Sequence, residues 1–571
     1  MDETKKLPLD VKSFKEIINN NYIYVDKTAY LANMIADSGY TWLLTRPRCF
    51  GKSLTVSTLE SIFSGEKDLF KGLAIEKMLD ETKYAPRPVI HLDMSQVATN
   101  GLEKFEESLW GLTLAAGKKH DLDLPLDLRA SMLLEYLIPD CSEKYGQKVA
   151  VLIDEYDSPL AKLMDKPASA DRVRKSLAKY YTMLKALEEY IFFVFLTSTS
   201  KLVGGGLYSG FNNYIDISFQ PKYGALMGFT QEEIELYFDR YIDEAAKSQK
   251  MSRESLLNKM ENYYNGFCFD AKTKVYNPHS TLLFLKNNTF TNFWFKFENH
   301  KKLISFMNEN SFTVDLFRGL DVYTDRIEYP CQNRSYDPAA YFYQLGYLSL
   351  KPNQRPKKSY SSHDYYVLDY PNIEARQSMG LLLLESYFHS AQIAQDIGKR
   401  VKIALSASDH LALIDEMNLL LANIPNASFV QASQRHNLQP DDVFYSELLS
   451  TLFYSIALDP RAKEYGQLES SENSESPGSS ESTESSGSTR NSEFFLKCGG
   501  QTWIIVIKVN HNKQEDQKLA ILALEELQAK DYEAKYENPV LLALVVNIKA
   551  KAITAWALSG QIPARVKTPN K

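Results

Sequence analysis

Residues 45–53 read TRPRCFGKS. Gly51-Lys52-Ser53 is how a phosphate-binding loop of the form G-x-x-x-x-G-K-[ST] ends, but Arg46 stands where that pattern has its first glycine. Such a loop works through geometry: a strand ends, the backbone wraps an anion, and a helix begins with its free N–H groups facing it. The flanks predict that context, with TWLLT (41–45) as a strand and KSLTVSTLESIF (52–63) as a helix. In that setting Gly51 allows close backbone approach, Lys52 reaches the outer phosphates and the Ser53 hydroxyl serves Mg²⁺. Pro47 supplies a bend where the glycine is missing. Arg46 and Arg48 flank the phosphates; they either stabilise transferring charge or are solvated loop arginines. By itself the string does not separate a nucleotide site from an ordinary turn.

A second string alters the balance. VAVLIDEYD (149–157) is an apolar strand running into Asp154 and Glu155. An aspartate there holds Mg²⁺ together with Ser53, and the adjacent glutamate acts as general base on the attacking water. YIFFVFLTS (190–198) is another strand, ending in Thr197 and Ser198 with Lys201 beyond. Thr197 is placed to sense the γ-phosphate or orient water, or is an ordinary strand-end hydroxyl. PVIHLDM (88–94) and YIDISF (214–219) read as further strands, and a helix is expected near 129–138. Strands alternating with helices predict an α/β fold with a parallel sheet, that of a P-loop NTPase, over residues 1–230.

Beyond 230 the pattern turns helical. Thr230 and Glu233 form a capping-box signature before an apolar run. Residues 231–430 read as a helical, winged-helix-like and linking region, with LGYLSL (345–350) and DYYVLDY (364–370) as a strand pair. Residues 466–492 are Ser/Glu-rich, cannot build a core and are expected to be a disordered insert. An α/β pattern returns with TWIIVIKV (502–509), a helix over 514–536, VLLALVV (540–546) and AITAWAL (552–558).

Composition narrows the classes. The 571 residues are 44% hydrophobic and 24% charged, ordinary for a globular protein. Net charge is −7; residues 469–490 hold five glutamates and one arginine, so the remainder carries only −3. A globally basic nucleic-acid footprint is therefore excluded, a local patch is not. The start, MDETKKLPLD, has no apolar run and predicts no secretory signal. No run approaches the ~20 apolar residues of a membrane span. Five scattered cysteines with no C-x-x-C pair argue against a zinc or disulfide framework and point to a reducing, cytoplasmic setting.

The strings YIYVDKTAYL (22–31), RPRCFGKSL, PVIHLDMS, VLIDEYDSPL, FLTSTSKL, LYSGFNNYIDIS, GFTQEEIE, YYNGFCF and VYNPHSTLLF resemble the AAA-ATPase-like proteins whose C-terminal part belongs to the PD-(D/E)XK nuclease superfamily. The resemblance covers nearly the whole chain and is most specific over 7–285. It implies that arginine at 46 is that family's own form of the loop, and that ATP and Mg²⁺ are the cofactors. Cys49 replaces one of the family's paired arginines, and Ser198 replaces a glycine. The segment with Tyr24 and Asp26 is implied to pack near the nucleotide base, although a core role suits Tyr24 equally.

The resemblance also implies a restriction-endonuclease-like α/β domain over 431–571. Such a nuclease needs an aspartate on one strand and Glu-x-Lys on the next. Lys508 in WIIVIKV matches the lysine, Val506 stands where the glutamate belongs, and Glu493 falls where the aspartate would lie. Valine offers no oxygen to a hard cation. Glu525 or Glu526 on the next helix, or Glu447 in FYSELLSTLF, are alternative acids; each is also an ordinary helix-surface residue. The expectation is a degenerate, inactive nuclease-like domain that binds nucleic acid or a protein partner under control of an ATP-hydrolysing region. The alternatives are an active ATP-dependent DNA nuclease with a migrated carboxylate, and an interaction protein that binds nucleotide without hydrolysis. An oligomer supplying a trans arginine is compatible with the first.

Overall fold

The computed structural model describes residues 5–37, 41–78, 85–164, 166–201, 214–294, 300–309, 320–328, 331–332, 335–352, 365–388, 391–424, 445, 448–449, 451–453, 492–498, 500–510, 515–530, 532–536 and 538–560. The expected Ser/Glu insert, apart from its last residue Ser492, and Glu447 lie outside them. The chain divides into two compact units, residues 1–298 with 317–375, and residues 299–316 with 376–571. The segment read as a helical middle region, 231–430, is thus shared between them.

The first unit is built on a five-stranded sheet: β1 (Thr41–Thr45), β2 (Val89–Asp93), β3 (Val149–Asp154), β4 (Ile191–Ser198) and β5 (Ile215–Asp216). Their spatial order is β2-β3-β4-β1-β5 and every pair is parallel. All six residues of β3 are buried, as a parallel strand covered on both faces requires. The helices Leu102–Lys119, Ala130–Tyr145 and Pro167–Ala186 bury their apolar faces against β2, β3 and β4 in one core, with Leu133, Leu137, Leu177 and Val151 fully enclosed. The first and third of these helices have no counterpart in the sequence reading, although Phe105, Leu109 and Ala116, and Val173, Leu177, Tyr180 and Leu184, recur at helical spacing. The strand expected over 214–219 is shorter than its apolar pattern. Ser218 leaves the ladder, and its hydroxyl accepts from Thr45 N–H at 2.9 Å.

Beyond the sheet, the helices Gln231–Tyr237, Asp239–Gln249, Arg253–Tyr264 and Pro278–Asn287 share a second core with Ile23 and Val25. The capping box of Thr230 and Glu233 is present in both directions. The expected strand pair exists as Ser349–Leu350 antiparallel to Tyr365–Asp369, with Leu320–Tyr323 added on the far side. Glu374 lies fully buried in this unit and accepts from Ser280 Oγ (3.0 Å), Phe293 N (2.7 Å) and Trp294 N (3.0 Å). Burial outweighs those bonds and pushes its carboxyl up to about 7. An acid raised above its unfolded value of 4.5 favours the fold while protonated and loses that advantage as pH rises from about 4.5 through about 7. Glu374→Gln is therefore expected to raise the melting midpoint above neutral pH and to flatten its pH dependence across that window. Calorimetry at several pH values checks both.

The second unit holds a four-stranded sheet. Ser492–Cys498 and Gln501–Asn510 form a hairpin, Asp516–Gln528 crosses over to Val540–Asn547 parallel to the second strand, and Ala552–Leu558 closes the edge antiparallel. The strands alternate between two cores. Trp503, Ile505 and Ile507 face one that includes the helix His410–Ala422, while Ile504 and Val506 face the crossover helix. No helix among the described residues is long and apolar enough to cross a membrane.

Candidate nucleotide site

Thr45 ends β1 between two neighbours, and the loop starts under tight control. Arg46 N–H donates to Ser198 O at 3.1 Å, and the Thr45 and Ser198 hydroxyls lie 2.8 Å apart. The loop then takes two left-handed residues, Cys49 at φ 62° and Gly51 at φ 94°. Phe50 between them is buried, with its ring edge-on to Phe267 at 5.0 Å and Phe269 at 5.5 Å. This anchor turns the backbone of Gly51 outward and starts the helix Lys52–Phe63 directly after it. The first N–H groups of that helix have no carbonyl of their own helix to meet and form a ready anion cradle. A Cβ added at Gly51 would meet nothing within 4 Å, so only the backbone conformation opposes it. Gly51→Ala is expected to cost about 1–2 kcal/mol, read by chemical denaturation.

Lys52 is 5% exposed; its Nζ donates to Arg46 O (2.9 Å), Pro47 O (3.0 Å) and Thr199 Oγ1 (3.2 Å). Burial lowers its pKa, against the pull of Glu155, Asp157 and Asp154. Ser53 Oγ donates to Asp154 Oδ2 at 2.5 Å. The other carboxylate oxygen, Oδ1, accepts a short hydrogen bond from Thr197 Oγ1, and that hydroxyl accepts from Glu155 N–H at 3.1 Å. Because β4 lies between β1 and β3, Thr197 sits between the two acidic positions and the loop. It holds Asp154 and Glu155 in place; the hydroxyl beside Lys52 is that of Thr199, two residues further along. Glu155 takes φ 50°, which swings the chain off β3 as it leaves the sheet.

Arg46 departs from its expected placement beside the phosphates. It is 1% exposed, and its guanidinium donates to Thr45 O (2.9 Å), Ser218 O (2.8 Å) and Tyr223 O (3.3 Å) while lying 4.1 Å from the centre of the Phe269 ring. Burial draws its pKa down to about 10, so it stays charged at neutral pH. A cation ringed by carbonyls braces the base of the loop. Arg48, in contrast, is exposed at the rim of the cavity. Lys201 is likewise buried and paired with Asp216.

The loop opens into a cavity of about 530 Å³. It is lined by Arg48–Thr55 and Glu155, by apolar residues including Leu9, Ile23, Val25, Met227, Phe229 and Leu282, and by Asp10, Lys12, Lys27 and His279. A lining that mixes apolar side chains with a few polar and charged groups suits a small-molecule ligand. Tyr24 also lines it, and burial pushes its phenol well above the ordinary range. Asp26 does not line it. Its carboxylate accepts from Thr28 N (2.9 Å), Thr28 Oγ1 (2.7 Å) and Ala74 N (2.7 Å) and so shapes the N-terminal segment. Neighbouring Lys27 does line it, and its Nζ reaches Glu233 (2.6 Å) and Ala225 O (2.7 Å), fastening that segment to the helical part. Sequence reading gave no role to Lys27, Asp157, Thr199 or Ser200. The signal available for Asp157 was its spacing, three residues after Asp154.

Glu493, Val506 and Lys508, the residues compared above with a nuclease site, lie in the second unit. Glu493 pairs directly opposite Val506, and Lys508 follows on the same face. All three are buried. Glu493 accepts from Lys530 Nζ (2.5 Å) and Tyr532 Oη (3.0 Å), while Lys508 Nζ donates to Glu526 at 2.7 Å. Glu525 is exposed on the helix. Glu493 and Glu526 are thus each matched by a lysine. Among the described residues no group of three or more His, Cys, Asp or Glu side chains is gathered to hold a metal ion.

The family comparison bears on the first unit. Residues 8–208 match the model of the family AAA-ATPase_like, described as "Predicted AAA-ATPase". The N-terminal region is AAA-ATPase-like. The chain is also 27% identical over 464 residues to an "Uncharacterized protein in vnfD 5'region" of Azotobacter chroococcum mcd 1, spanning 81% of this chain and 85% of that one. Two solved structures superpose loosely at 12% identity. The ORC2 protein of Aeropyrum pernix, solved as ADPNP-ADP complexes, has a TM-score of 0.25 over 63% of this chain and 93% of its own. Cdc6p from Pyrobaculum aerophilum has a TM-score of 0.22 over 63% and 91%.

Proposed function

We propose that this protein binds ATP with Mg²⁺ and hydrolyses it. The observation that carries the reading is the meeting of Lys52, the Ser53–Asp154 pair and Glu155 at a cavity that apolar residues also line. The phosphates lie against the N-terminus of the helix Lys52–Phe63 and against Lys52, and the base lies against the apolar side chains of the lining, beside Tyr24. Arg48 and Gly51 border the phosphates, and Arg46 braces the loop that holds them. A hydroxyl and a carboxylate 2.5 Å apart are the hard oxygen donors that Mg²⁺ takes from a protein when phosphates and water complete its shell. Bound there, the ion would neutralise charge that develops on the phosphates. Glu155 takes a proton from water, and Thr197 holds Asp154 and Glu155 in the required relation. Mg²⁺-dependent phosphate release from ATP by the purified full chain, lost in Lys52→Ala, tests the reading. A chain with no affinity for ATP sinks it.

The C-terminal region, in this reading, is a degenerate nuclease-like domain that the nucleotide cycle controls. It meets nucleic acid or a protein partner rather than cutting. Val506 in place of an acid and the two internal ion pairs support this. The rival reading, an active nuclease with a migrated carboxylate, has one observation in its favour: Glu526 sits on Lys508 from the following helix. Mg²⁺-dependent plasmid cleavage that disappears with Lys508→Ala establishes the rival.

A further inference from the structure

Asp157 ends the string Asp154-Glu155-Tyr156-Asp157 and has no part in the chemistry above. It is 2% exposed. It stands at the N-cap of the short helix Ser158–Ala161, yet its side chain makes no capping hydrogen bond there. The carboxylate instead accepts from the segment that leaves β4: from Thr199 N at 3.3 Å, Ser200 N at 2.9 Å and Ser200 Oγ at 2.9 Å. Thr199 is the residue whose hydroxyl meets Lys52 Nζ. β4 leaves register with β3 at Leu196 but stays paired with β1 as far as Ser198, so Thr199 is the first residue beyond the ladder, where bonds such as these fix its course. The turn at Glu155 separates the two acids: Glu155 lines the cavity, and Asp157 goes beneath the β4 exit.

Burial raises the Asp157 carboxyl to about 6, against the hydrogen bonds from Ser200. An acid raised in the fold weakens the fold once it is ionised.

We propose that Asp157 is a positioning residue: by holding Thr199 and Ser200 it sets the Thr199 hydroxyl beside Lys52 to meet the terminal phosphate, and so lets the site tell ATP from ADP. This rests on the ATP reading above. One hydrogen bond to a charged phosphate oxygen is worth roughly a tenfold preference.

The test uses the full chain carrying Glu155→Gln, so that ATP survives, and measures equilibrium binding of ATP and of ADP with Mg²⁺. Asp157→Ala and Thr199→Ala are each expected to reduce the ATP-over-ADP preference by roughly tenfold, with ADP affinity little changed. The double variant falls no further than the worse single one, because both remove the same contact. Asp157→Asn recovers part of the preference, since its amide oxygen still accepts from Ser200. A merely structural role would instead weaken both nucleotides together. A preference that survives Asp157→Ala, or a double variant that multiplies the two losses, overturns the proposal and leaves the ATP reading standing. A parent that binds ATP and ADP equally does the same. A parent that binds neither overturns both. Should Asp157→Ala not fold, Thr199→Ala and Asp157→Asn decide.

Discussion

Glu155→Gln is expected to lower ATP turnover by about 10²–10⁴-fold while ATP binding stays within a few-fold of the parent. The geometry separates the two effects. Glu155 stands at the tip of β3, its N–H donates to Thr197 Oγ1, and its side chain borders the cavity. Glutamine has the same shape and keeps the backbone bond, but it has no basic carboxylate to take a proton from water. Lys52, Ser53 and Asp154 are untouched by the change. Phosphate release measures the loss, and equilibrium binding measures what is kept. Turnover equal to the parent's would remove Glu155 from the chemistry and leave water activation without a named base.

Lys52→Ala has the opposite signature. A buried ammonium that donates to Arg46 O, Pro47 O and Thr199 is at the centre of the loop, and replacing carbonyl partners by phosphate oxygens strengthens its bonds. Hydrogen bonds to charged groups contribute about 1.5–3 kcal/mol, so ATP affinity is expected to fall roughly 10–100-fold. The melting midpoint of the ligand-free protein is not expected to follow. Burial lowers the lysine's pKa, which means the charged side chain weakens the fold and its stability contribution improves as pH rises. The rise in midpoint that ATP gives the parent should shrink in the variant, since that rise depends on ligand concentration relative to Kd. An ATP-induced shift equal to the parent's would place the phosphates elsewhere.

Local pattern carried much of the fold. The strand Thr41–Thr45 and the helix Lys52–Phe63 were legible to the residue, because an unbroken buried run meets a left-handed glycine that can only begin something new. The apolar runs of β3 and β4 announced strands covered on both faces. The helices Leu102–Lys119 and Pro167–Ala186 were missed although their buried residues, such as Ala170, Val173, Leu177, Tyr181 and Leu184, recur at helical spacing; charged residues between them break up the apolar run. The strand Ser492–Cys498 was missed as well, although Glu493 was singled out within it; pairing with Gln501–Asn510 is what makes it a strand.

The site divides in the same way. Residue types and their order named Lys52, Ser53, Asp154 and Glu155, because a phosphate loop and an acidic strand tip are contiguous strings whose chemistry is written in a few letters. Sequence could not say which side of the loop Arg46 faces, because the carbonyls that capture it belong to Ser218 and Tyr223, far along the chain. Nor could it say that Thr199 rather than Thr197 meets Lys52, since that depends on where β4 lies in the sheet and on the hold of Asp157. Strings fix what a segment is made of and where it can turn. Only packing between segments decides which charged side chains are sealed inside by carbonyls and which are left facing the cavity.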